Sequence, residues 1–459
     1  KIENMKEQHK GAAAKAEMKA LMRGAVHSYL EYAIDYASAG MYEEATQLLS
    51  FVAEGNEATY PMVYYALGYF ASKMGKKDEA LNLYKKAETM CPDYCFPNKL
   101  EEVLMLNDAM SLNPEGAKAP YYLGNFHYAA RIYDEAIACW EKSASIDDTY
   151  PTVLRNLSLA YYNKQHNPQK ALATLEKAYN LDTTDARILM ELDQLYKKLR
   201  YPHRQRLDFL EAHADVVEQR DDLCIERITL YNQLGEYQKA YDLINSRKFH
   251  PWEGGEGKVT SQYLLCRVEL AKIAIREGRF ADAVRLLKET EKYPDNLGEG
   301  KLSMAEENDI HYWLGCAYEG LGDMEQAKAY FERATKGSAE PAIAFFYNDQ
   351  QPDKIFYQGL AWRKLGEEDK ARSRFNRLIK HGEKHLFDKV KIDYFAVSLP
   401  DLLIWDDDLN VRNLIHCNLV MGLGYLGLGD KEQARKFLSE VIRLDINHQV
   451  GQQLLKMCE

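Results

Sequence analysis

The chain has 459 residues, of which 46% are hydrophobic and 28% charged, and this composition excludes an intrinsically disordered chain. A formal net charge of -11 and a pI near 5.7 argue against a nucleic-acid partner, which would require a basic surface for phosphates. No apolar run approaches the ~20 residues that span a bilayer, so we expect no membrane partner either.

The N-terminal residues 1–24 are polar and carry no signal-peptide pattern, and we interpret them as a helical capping segment. Because the chain opens with Lys1 rather than Met, we expect further sequence upstream in the full-length protein. The cysteines are scattered singly, apart from Cys91 and Cys95. This pattern favours buried, reduced thiols in a cytoplasmic protein over zinc ligands.

From residue 25 onward one pattern recurs. It reads aromatic, Leu-Gly, a Gly-containing turn, an alanine, an aromatic residue four positions later and another alanine three after that, as in residues 64–92 and 311–334. Two apolar helices of period 3.6 joined by a short turn explain this spacing. The first alanine of each repeat serves as its marker: Ala45, Ala80, Ala136, Ala171, Ala240, Ala283, Ala327, Ala371 and Ala434.

The first complete copy of the pattern predicts a close helix crossing. Gly68 and Ala80 are small where the two helices meet, and Leu67, Tyr84 and Ala87 fill the rest of that contact. Pro92 ends the second helix, because the proline ring cannot continue it.

The Leu-Gly pairs at 67–68, 123–124 and 314–315, each followed by its marker alanine, resemble the tetratricopeptide repeat position for position. The resemblance implies an all-α fold, an α-α superhelix of about nine recognisable repeats over residues 25–446. Residues 447–459 are then the C-terminal capping helix.

Two stretches of the solenoid look like degenerate repeats, near residues 97–114 and 185–214, and the first reads as one helix ending at Pro114. The marker alanines are 35 residues apart from Ala45 to Ala80 but 44 apart from Ala327 to Ala371. The later repeats thus carry roughly ten residues more than the usual 34. We assign the extra residues to loops near 248–262, 293–307, 337–352 and 386–412.

Two of these expansions contain related glycine-rich segments, HPWEGGEGKV at residues 250–259 and YPDNLGEGKL at 293–302. In a solenoid, equivalent positions stack, so the segments should be neighbours on one edge. A phosphate-binding loop is excluded, because Trp252 replaces its first glycine and Val259 its Mg²⁺-binding hydroxyl residue.

Three interpretations of this edge remain open. It is a connector in which Glu and Lys pair across the loops, a docking or ligand edge, or a glycosidase-like carboxylate pair. The docking interpretation involves Trp252, Glu256, Lys258, Glu299 and Lys301. The carboxylate pair would come from Glu253, Glu256 or Glu299.

The segments FHPWEGGEGKV, YPDNLGEGKL, DIHYWLG and DYFAVSLPD together resemble the C-terminal repeat region of a group of bacterial tetratricopeptide proteins. In that group the repeats follow an N-terminal β-sandwich, similar to sugar mutarotases, whose function is unknown. The resemblance implies a companion domain of the same polypeptide as a partner.

The first helices of the repeats are expected to line a concave surface that binds an extended peptide or a helix. By the repeat frame, this surface contains Tyr65, Tyr69, Tyr121, Asn125, Tyr128, Arg155, Tyr162, Arg187, Gln194, Thr229, Tyr312 and Phe356. A carboxylate clamp for a peptide C-terminus is partly matched by Asn125, Asn156 and Arg187. Tyr121 and Glu191 stand where its basic residues should be, which argues against it.

No metal site or cofactor is predicted. The run Asp406–Asp408 lacks the spacing of a calcium loop, and the histidines do not form a zinc-enzyme motif. We therefore predict a non-enzymatic scaffold that binds protein or peptide through the concave face and the 250–302 edge. The alternative is an accessory repeat half of a carbohydrate-active protein, with carbohydrate as a further partner.

Overall fold

The computed structural model describes residues 11–53, 60–252, 254–303, 305–342, 350–390 and 404–458. Within these ranges the regular structure consists of α-helices and two short 3-10 turns, without a strand. The predicted all-α solenoid of antiparallel helix pairs is therefore confirmed. By their contacts the residues divide into an N-terminal unit, Lys1–Thr183, and a C-terminal unit, Thr184–Glu459.

The N-terminal unit begins with one helix, Gly11–Met22, and continues as a stack of four helix pairs, with a further single helix, Leu100–Leu112, inserted after the second pair. Its helices are α1 Gly11–Met22, α2 Val26–Ser38, α3 Tyr42–Ala53, α4 Pro61–Lys73, α5 Lys77–Glu88, α6 Leu100–Leu112, α7 Lys118–Ala129, α8 Tyr133–Ile146, α9 Pro151–Asn163 and α10 Pro168–Leu181. Helix α6 packs on α4 and α7 and confirms the single helix predicted before Pro114.

The C-terminal unit contains the expanded repeats. Its helices are α11 Ala186–Lys198, α12 His203–Ala212, α13 Ala214–Val217, α14 Asp221–Gln233, α15 Tyr237–Ser246, α16 Lys258–Arg276, α17 Phe280–Lys288, α18 Asn308–Leu321, α19 Met324–Ala334, α20 Pro352–Lys364, α21 Glu368–His385, α22 Leu409–Leu428, α23 Lys431–Leu444 and α24 Gln449–Met457. The stretch 185–214 contains the two full helices α11 and α12. The expansions were predicted as loops, but part of the first is helix, since α16 is 19 residues long and begins at Lys258.

The marker alanines confirm the repeat frame, because all nine are 0–1% exposed. Each lies where the second helix of a pair crosses the first. In five of these nine pairs, a glycine of the first helix lies under a large side chain of the second at this crossing: Gly68, Gly124, Gly315, Gly359 and Gly422. A Cβ on Gly68 would come within 2.5 Å of the Tyr84 ring, and one on Gly315 within 2.5 Å of the Phe331 ring. The predicted crossing at Gly68 and Ala80 is thus confirmed.

Replacing Gly124 with Ala is expected to lower the free energy of unfolding of the N-terminal unit by about 1–2 kcal/mol. The new methyl would lie 2.5 Å from the Trp140 indole. The indole cannot retreat without breaking its Nε1 bonds to the Tyr121 carbonyl and the Asn125 side chain, at 3.2 and 3.1 Å. Overpacking costs about 1–3 kcal/mol, and the better helix propensity of Ala offsets only part of it.

Urea denaturation followed by tryptophan fluorescence measures this loss. Gly300→Ala is the control, since a Cβ there meets nothing within 4 Å and the backbone is not left-handed. Its free energy of unfolding should stay within about 0.5 kcal/mol of wild type. An equal effect of the two substitutions would contradict the close crossing.

The cysteines are present as free thiols, as their scattered spacing predicts. All eight cysteines are free, and burial raises the pKa of the Cys95 thiol to about 12, so this thiol stays protonated at neutral pH. Among the described residues, no helix combines the length and apolar character needed to cross a membrane.

Candidate functional site

The two glycine-rich segments lie side by side, as predicted. The backbone N–H of Gly257 donates to both carboxylate oxygens of Glu299, at 3.2 and 2.9 Å. The N–H of Phe249 donates to the Asn296 carbonyl at 2.7 Å. The Asn296 side chain then donates to the carbonyls of Ile244 and Arg247, at 2.8 and 2.9 Å. We call residues 249–252, 254–259 and 293–302 the glycine edge.

Most of the edge glycines have a definite backbone role. Gly254, Gly257 and Gly298 adopt left-handed φ angles of 77°, 74° and 78°. Gly255 lies directly beneath the Trp252 indole, where a Cβ would come within 2.0 Å of a ring carbon. Trp252 therefore covers its own loop and does not fill a gap between helices. Gly300 has neither a left-handed φ angle nor an atom within 4 Å of the position that a Cβ would take.

Two charged residues of the edge, Glu299 and Lys301, have partners other than a charged side chain of the neighbouring loop. The Glu299 carboxylate binds the Gly257 backbone, and burial raises its pKa. Lys301 pairs instead with Glu307, at 2.5 Å. Glu256 and Lys258 are exposed, and Glu253 lies outside the described residues. Since the Glu299 carboxylate has a backbone partner, it is not placed as the free member of a carboxylate pair.

In the N-terminal unit, two tyrosines predicted to line an open surface are buried instead. Tyr65 is 0% exposed and its hydroxyl donates to Glu88 at 2.8 Å. Tyr121 is 5% exposed and packs edge-on against Tyr150, with ring centroids 5.1 Å apart. In the C-terminal unit, Phe356 is likewise buried, at 1%. The prediction of a surface role for these three side chains is therefore wrong.

Other predicted groove residues stabilise the repeats. Asn125 accepts hydrogen bonds from Trp140 and from the Asn156 amide, the latter at 3.2 Å, and so links α7 to α8 and α9. Tyr128 packs on Trp140 with ring centroids 5.2 Å apart. Tyr69 is half-buried. These contacts give Asn125 and Tyr128 a packing role in this unit.

The clamp residue Arg187 belongs to the C-terminal unit. Its guanidinium donates to the carboxylate of Glu191, a fully buried side chain one helical turn later, at 3.0 Å. Glu191, the acid that stands in a basic position of the clamp, therefore already binds Arg187.

The C-terminal unit contains an array of charged and aromatic side chains on the first helices of three successive repeats, α16, α18 and α20. Lys272 donates to Glu269 at 2.6 Å and lies over the Trp313 ring, 5.3 Å from its centroid. The Trp313 indole N–H donates to the hydroxyl of Tyr357 at 3.4 Å. We call these residues, together with Asp309, Asp353 and Lys354, the first-helix array.

A second ion pair completes the first-helix array. Lys354 contacts Asp309 of the preceding repeat at 2.5 Å and its own neighbour Asp353 at 3.5 Å. All three side chains are 18% exposed, so they are largely enclosed yet reachable from solvent. Although burial alone would lower the pKa of Lys354, the two carboxylates raise it, so this ammonium is charged at neutral pH.

The first-helix array adjoins the glycine edge through Tyr293. Burial raises the pKa of the Tyr293 hydroxyl to about 12, and the charges of Glu307, Asp309 and Glu299 add to the rise, while Lys354 opposes it. Tyr312, a predicted groove residue, packs against Trp313 and Tyr357 with ring centroids 5.3 and 5.6 Å away. Phe356, another predicted groove residue, also contacts the array, with its ring centroid 5.4 Å from that of Tyr357.

The first-helix array was not predicted from the sequence, although the sequence contains one weak indication of it. Glu269 and Lys272 are three residues apart, on one face of a helix whose other positions are largely apolar. Charged residues at such positions are usually found on solvated faces. Only the neighbouring first helices, which supply Trp313 and Tyr357, show that this pair is enclosed.

The described residues contain no group of three or more His, Cys, Asp or Glu that could hold a metal ion. The rings of His381 and His385 are tilted to each other with centroids 4.6 Å apart, and the His416 ring centroid lies 6.0 Å from that of His381. In the acidic run, Asp407 pairs with Lys198 at 3.0 Å, and Asp408 caps α22. These acids are thus occupied by structural contacts.

Three stretches match family models described as the tetratricopeptide repeat, residues 63–94 and 309–336 with one model and 355–381 with another. They correspond to the helix pairs α4/α5, α18/α19 and α20/α21. The last two pairs carry Asp309, Trp313, Lys354 and Tyr357 of the first-helix array.

Among solved structures, the chain is similar to Pseudomonas aeruginosa PilF, with 19% identity over 48% of this chain and 90% of that one and a TM-score of 0.28. MamA from Desulfovibrio magneticus RS-1 matches at 17% identity over 43% and 97% of the chains, with a TM-score of 0.25. YrrB, a TPR protein with an unusual peptide-binding site, matches at 19% identity over 41% and 84%, with a TM-score of 0.21. The chain therefore contains tetratricopeptide repeats, a unit through which proteins generally bind other proteins.

Proposed function

We propose that the protein is a non-catalytic scaffold that binds an extended segment of a partner protein on the first-helix array. The observation that carries the proposal is the enclosed charge arrangement of the array. The pair Lys272–Glu269 and the pair Lys354–Asp309 are only 13–18% exposed, and both lie beside aromatic rings. Ionic groups are costly to enclose, and enclosure of this kind is more typical of recognition sites than of ordinary surface.

The array suits a peptide that carries both signs of charge and an apolar group. Its carboxylates Glu269, Asp309 and Asp353 alternate with the ammonium groups of Lys272 and Lys354, and Trp313 offers an apolar surface between them. Because packing already restricts these side chains, little rotamer freedom remains to be lost on binding. A ligand of matching charge pattern would gain specificity more than affinity from the ion pairs.

The glycine edge is the second part of the proposed surface. Trp252 is half-buried on a loop pair held by backbone hydrogen bonds, with Glu256 and Lys258 exposed beside it. Large aromatic side chains next to charged groups are common at protein interfaces. We assign this edge to a folded partner, such as a companion domain of the same polypeptide. Nothing in the described residues favours the carbohydrate alternative.

The proposal predicts that peptides selected on the protein depend on the array. Peptides from a phage-displayed library of random 12-residue sequences would be selected on the full chain and their Kd measured by fluorescence anisotropy. The double variant Lys272→Gln/Glu269→Gln removes the ion pair without leaving a lone buried charge. We expect it to weaken binding of the selected peptides by tenfold or more.

Two further variants separate the parts of the surface. Arg279→Gln/Glu277→Gln removes an ion pair of the same repeat that is 50% and 54% exposed, and it should leave Kd unchanged. Trp252→Ala/Glu256→Ala tests the glycine edge and should leave peptide binding intact while weakening capture of a folded partner. Equal Kd values for the wild type and the Lys272/Glu269 variant would exclude the array as the binding site.

A further inference from the structure

The segment between the last two helices contacts helices from the start of the same C-terminal unit. The Gln233 side chain donates to the Asn447 carbonyl at 2.7 Å, and Arg206 donates to the Asn447 side chain at 3.2 Å. Gln262 and Gln449 exchange two amide hydrogen bonds, at 2.9 and 3.0 Å. The partners are 187 to 241 residues apart in the chain. Repeat solenoids are stabilised by contacts between neighbouring repeats, so these distant contacts are an additional feature.

The last helix, α24, has two different faces. Leu454 and Cys458, the residue that follows the helix, are 4% and 0% exposed and belong to the same core cluster as Leu438 and Val441 of α23. This face keeps α24 attached to α23. We therefore expect α24 to stay folded on its neighbour whether or not its other face is in contact.

The other face of α24 is rich in carboxamides. With early residues of the unit it encloses a cavity of about 10 Å³, too small for more than one water molecule. The residues around this cavity are Asn232, Gln233, Tyr237, Gln449, Gln452, Gln453 and Lys456. Apart from the Arg206 guanidinium, the contact is made of uncharged amides and a backbone carbonyl. Each such hydrogen bond that is lost on opening is replaced by one to solvent.

We propose that residues 445–449 form an intramolecular latch. In the closed state, Asn447 and Gln449 cover a surface formed by Asn232, Gln233 and Gln262. Release of the latch uncovers this surface to a partner segment that carries carboxamide side chains, while the helix pairs of the unit remain folded. The latch and the first-helix array share α16 but use different residues of it, Gln262 for the latch and Glu269 and Lys272 for the array.

Hydrogen exchange measured by mass spectrometry on the full chain tests the latch. The double variant Asn447→Ala/Gln449→Ala removes the side-chain bonds to Arg206 and Gln262. It keeps the backbone carbonyl of residue 447, which accepts from Gln233, and His448, which caps α24. Exchange in residues 197–206 and 445–453 should become at least tenfold faster, because local opening exposes those amides. Exchange in residues 308–334 should stay within twofold of wild type.

The matched control removes two exposed amides of α15 that bond only within their helix, Gln238→Ala/Asn245→Ala, and should behave as wild type. A synthetic peptide of residues 442–458 gives a second readout, since it should bind the latch variant at least tenfold more tightly than the wild type. Unchanged exchange in the latch variant, faster exchange throughout residues 308–334, or equal peptide binding would each overturn the proposal.

Discussion

Replacing Arg206 with Met is expected to lower the free energy of unfolding of the C-terminal unit by about 3–5 kcal/mol. The Arg206 guanidinium is fully buried and binds Asp193, which is 1% exposed, through two parallel hydrogen bonds of 3.0 and 2.7 Å. It also donates to Glu226 at 2.7 Å. Removing the cation leaves the Asp193 carboxylate buried without a counter-charge, which accounts for the size of the loss.

The neighbouring Glu226 is less affected because a second cation remains. Burial acts to raise the pKa of Glu226, but the charges of Lys197 and Arg206 lower this pKa to about 2. Lys197 donates to both of its carboxylate oxygens, at 2.9 and 3.1 Å. The variant should therefore lose stability mainly through Asp193.

Urea denaturation of three variants checks this assignment. Adding Asp193→Leu to Arg206→Met should recover most of the loss, because an apolar pair of similar size needs no counter-charge. The control Arg285→Gln breaks the pair with Glu289, in which both partners are at least 40% exposed, and should cost less than about 1 kcal/mol. If Arg206→Met cost no more than this control, the buried pair would not stabilise the unit.

The repeat frame could be predicted because its cause is local. A marker alanine such as Ala80 and the glycine it faces, Gly68, recur at fixed spacing, and each is small because two helices cross there. Stacking of like repeats then places equivalent loops together, which is why the two glycine-rich segments could be predicted to be neighbours. The hydrogen bond between Gly257 and Glu299 that joins them was not itself predicted. These predictions need only the helix period and one neighbour.

The exposure of the groove residues could not be predicted in the same way. Tyr65 occupies a groove position in the repeat frame. Glu88, at the end of α5, nevertheless accepts a hydrogen bond from the Tyr65 hydroxyl, and the ring centroids of Tyr65 and Tyr122 are 5.9 Å apart. Tyr121 is covered by Tyr150, the residue that precedes α9. Burial here depends on which side chains of other helices and of a connecting segment meet each tyrosine, and the repeat pattern does not describe these contacts.

The latch and the first-helix array depend on contacts even more distant in the chain. Asn447 and Gln449 stand in a polar segment that reads as an ordinary connection between helices, and nothing local identifies Gln233 or Gln262 as their partners. The extra residues of the expanded repeats were also assigned wholly to loops, whereas α16 takes up part of them as helix. Periodicity predicts which residues are buried within a repeat but not which surfaces close on each other.

Acidification is expected to destabilise the C-terminal unit through His416. Burial and the nearby rings of His381 and His448 lower the pKa of His416 to about 4, against an ordinary value of 6.5, while a hydrogen bond with the Ala342 backbone opposes the shift. The folded state therefore binds the proton less tightly than the unfolded state. The stability that the neutral imidazole contributes is present above pH 6.5 and is lost as the pH falls towards 4.

Between pH 7 and pH 5 this linkage amounts to about 2 kcal/mol, because at pH 5 the unfolded imidazole is protonated and the folded one is not. Urea denaturation at both pH values should show that wild type loses about 2 kcal/mol more than His416→Gln, whose side chain does not titrate. The exposed His166, changed to Gln, serves as the control and should leave the pH dependence of wild type unaltered. Parallel pH profiles for wild type and His416→Gln would mean that the imidazole takes up its proton equally well in the folded state, and its burial would then have no influence on acid stability.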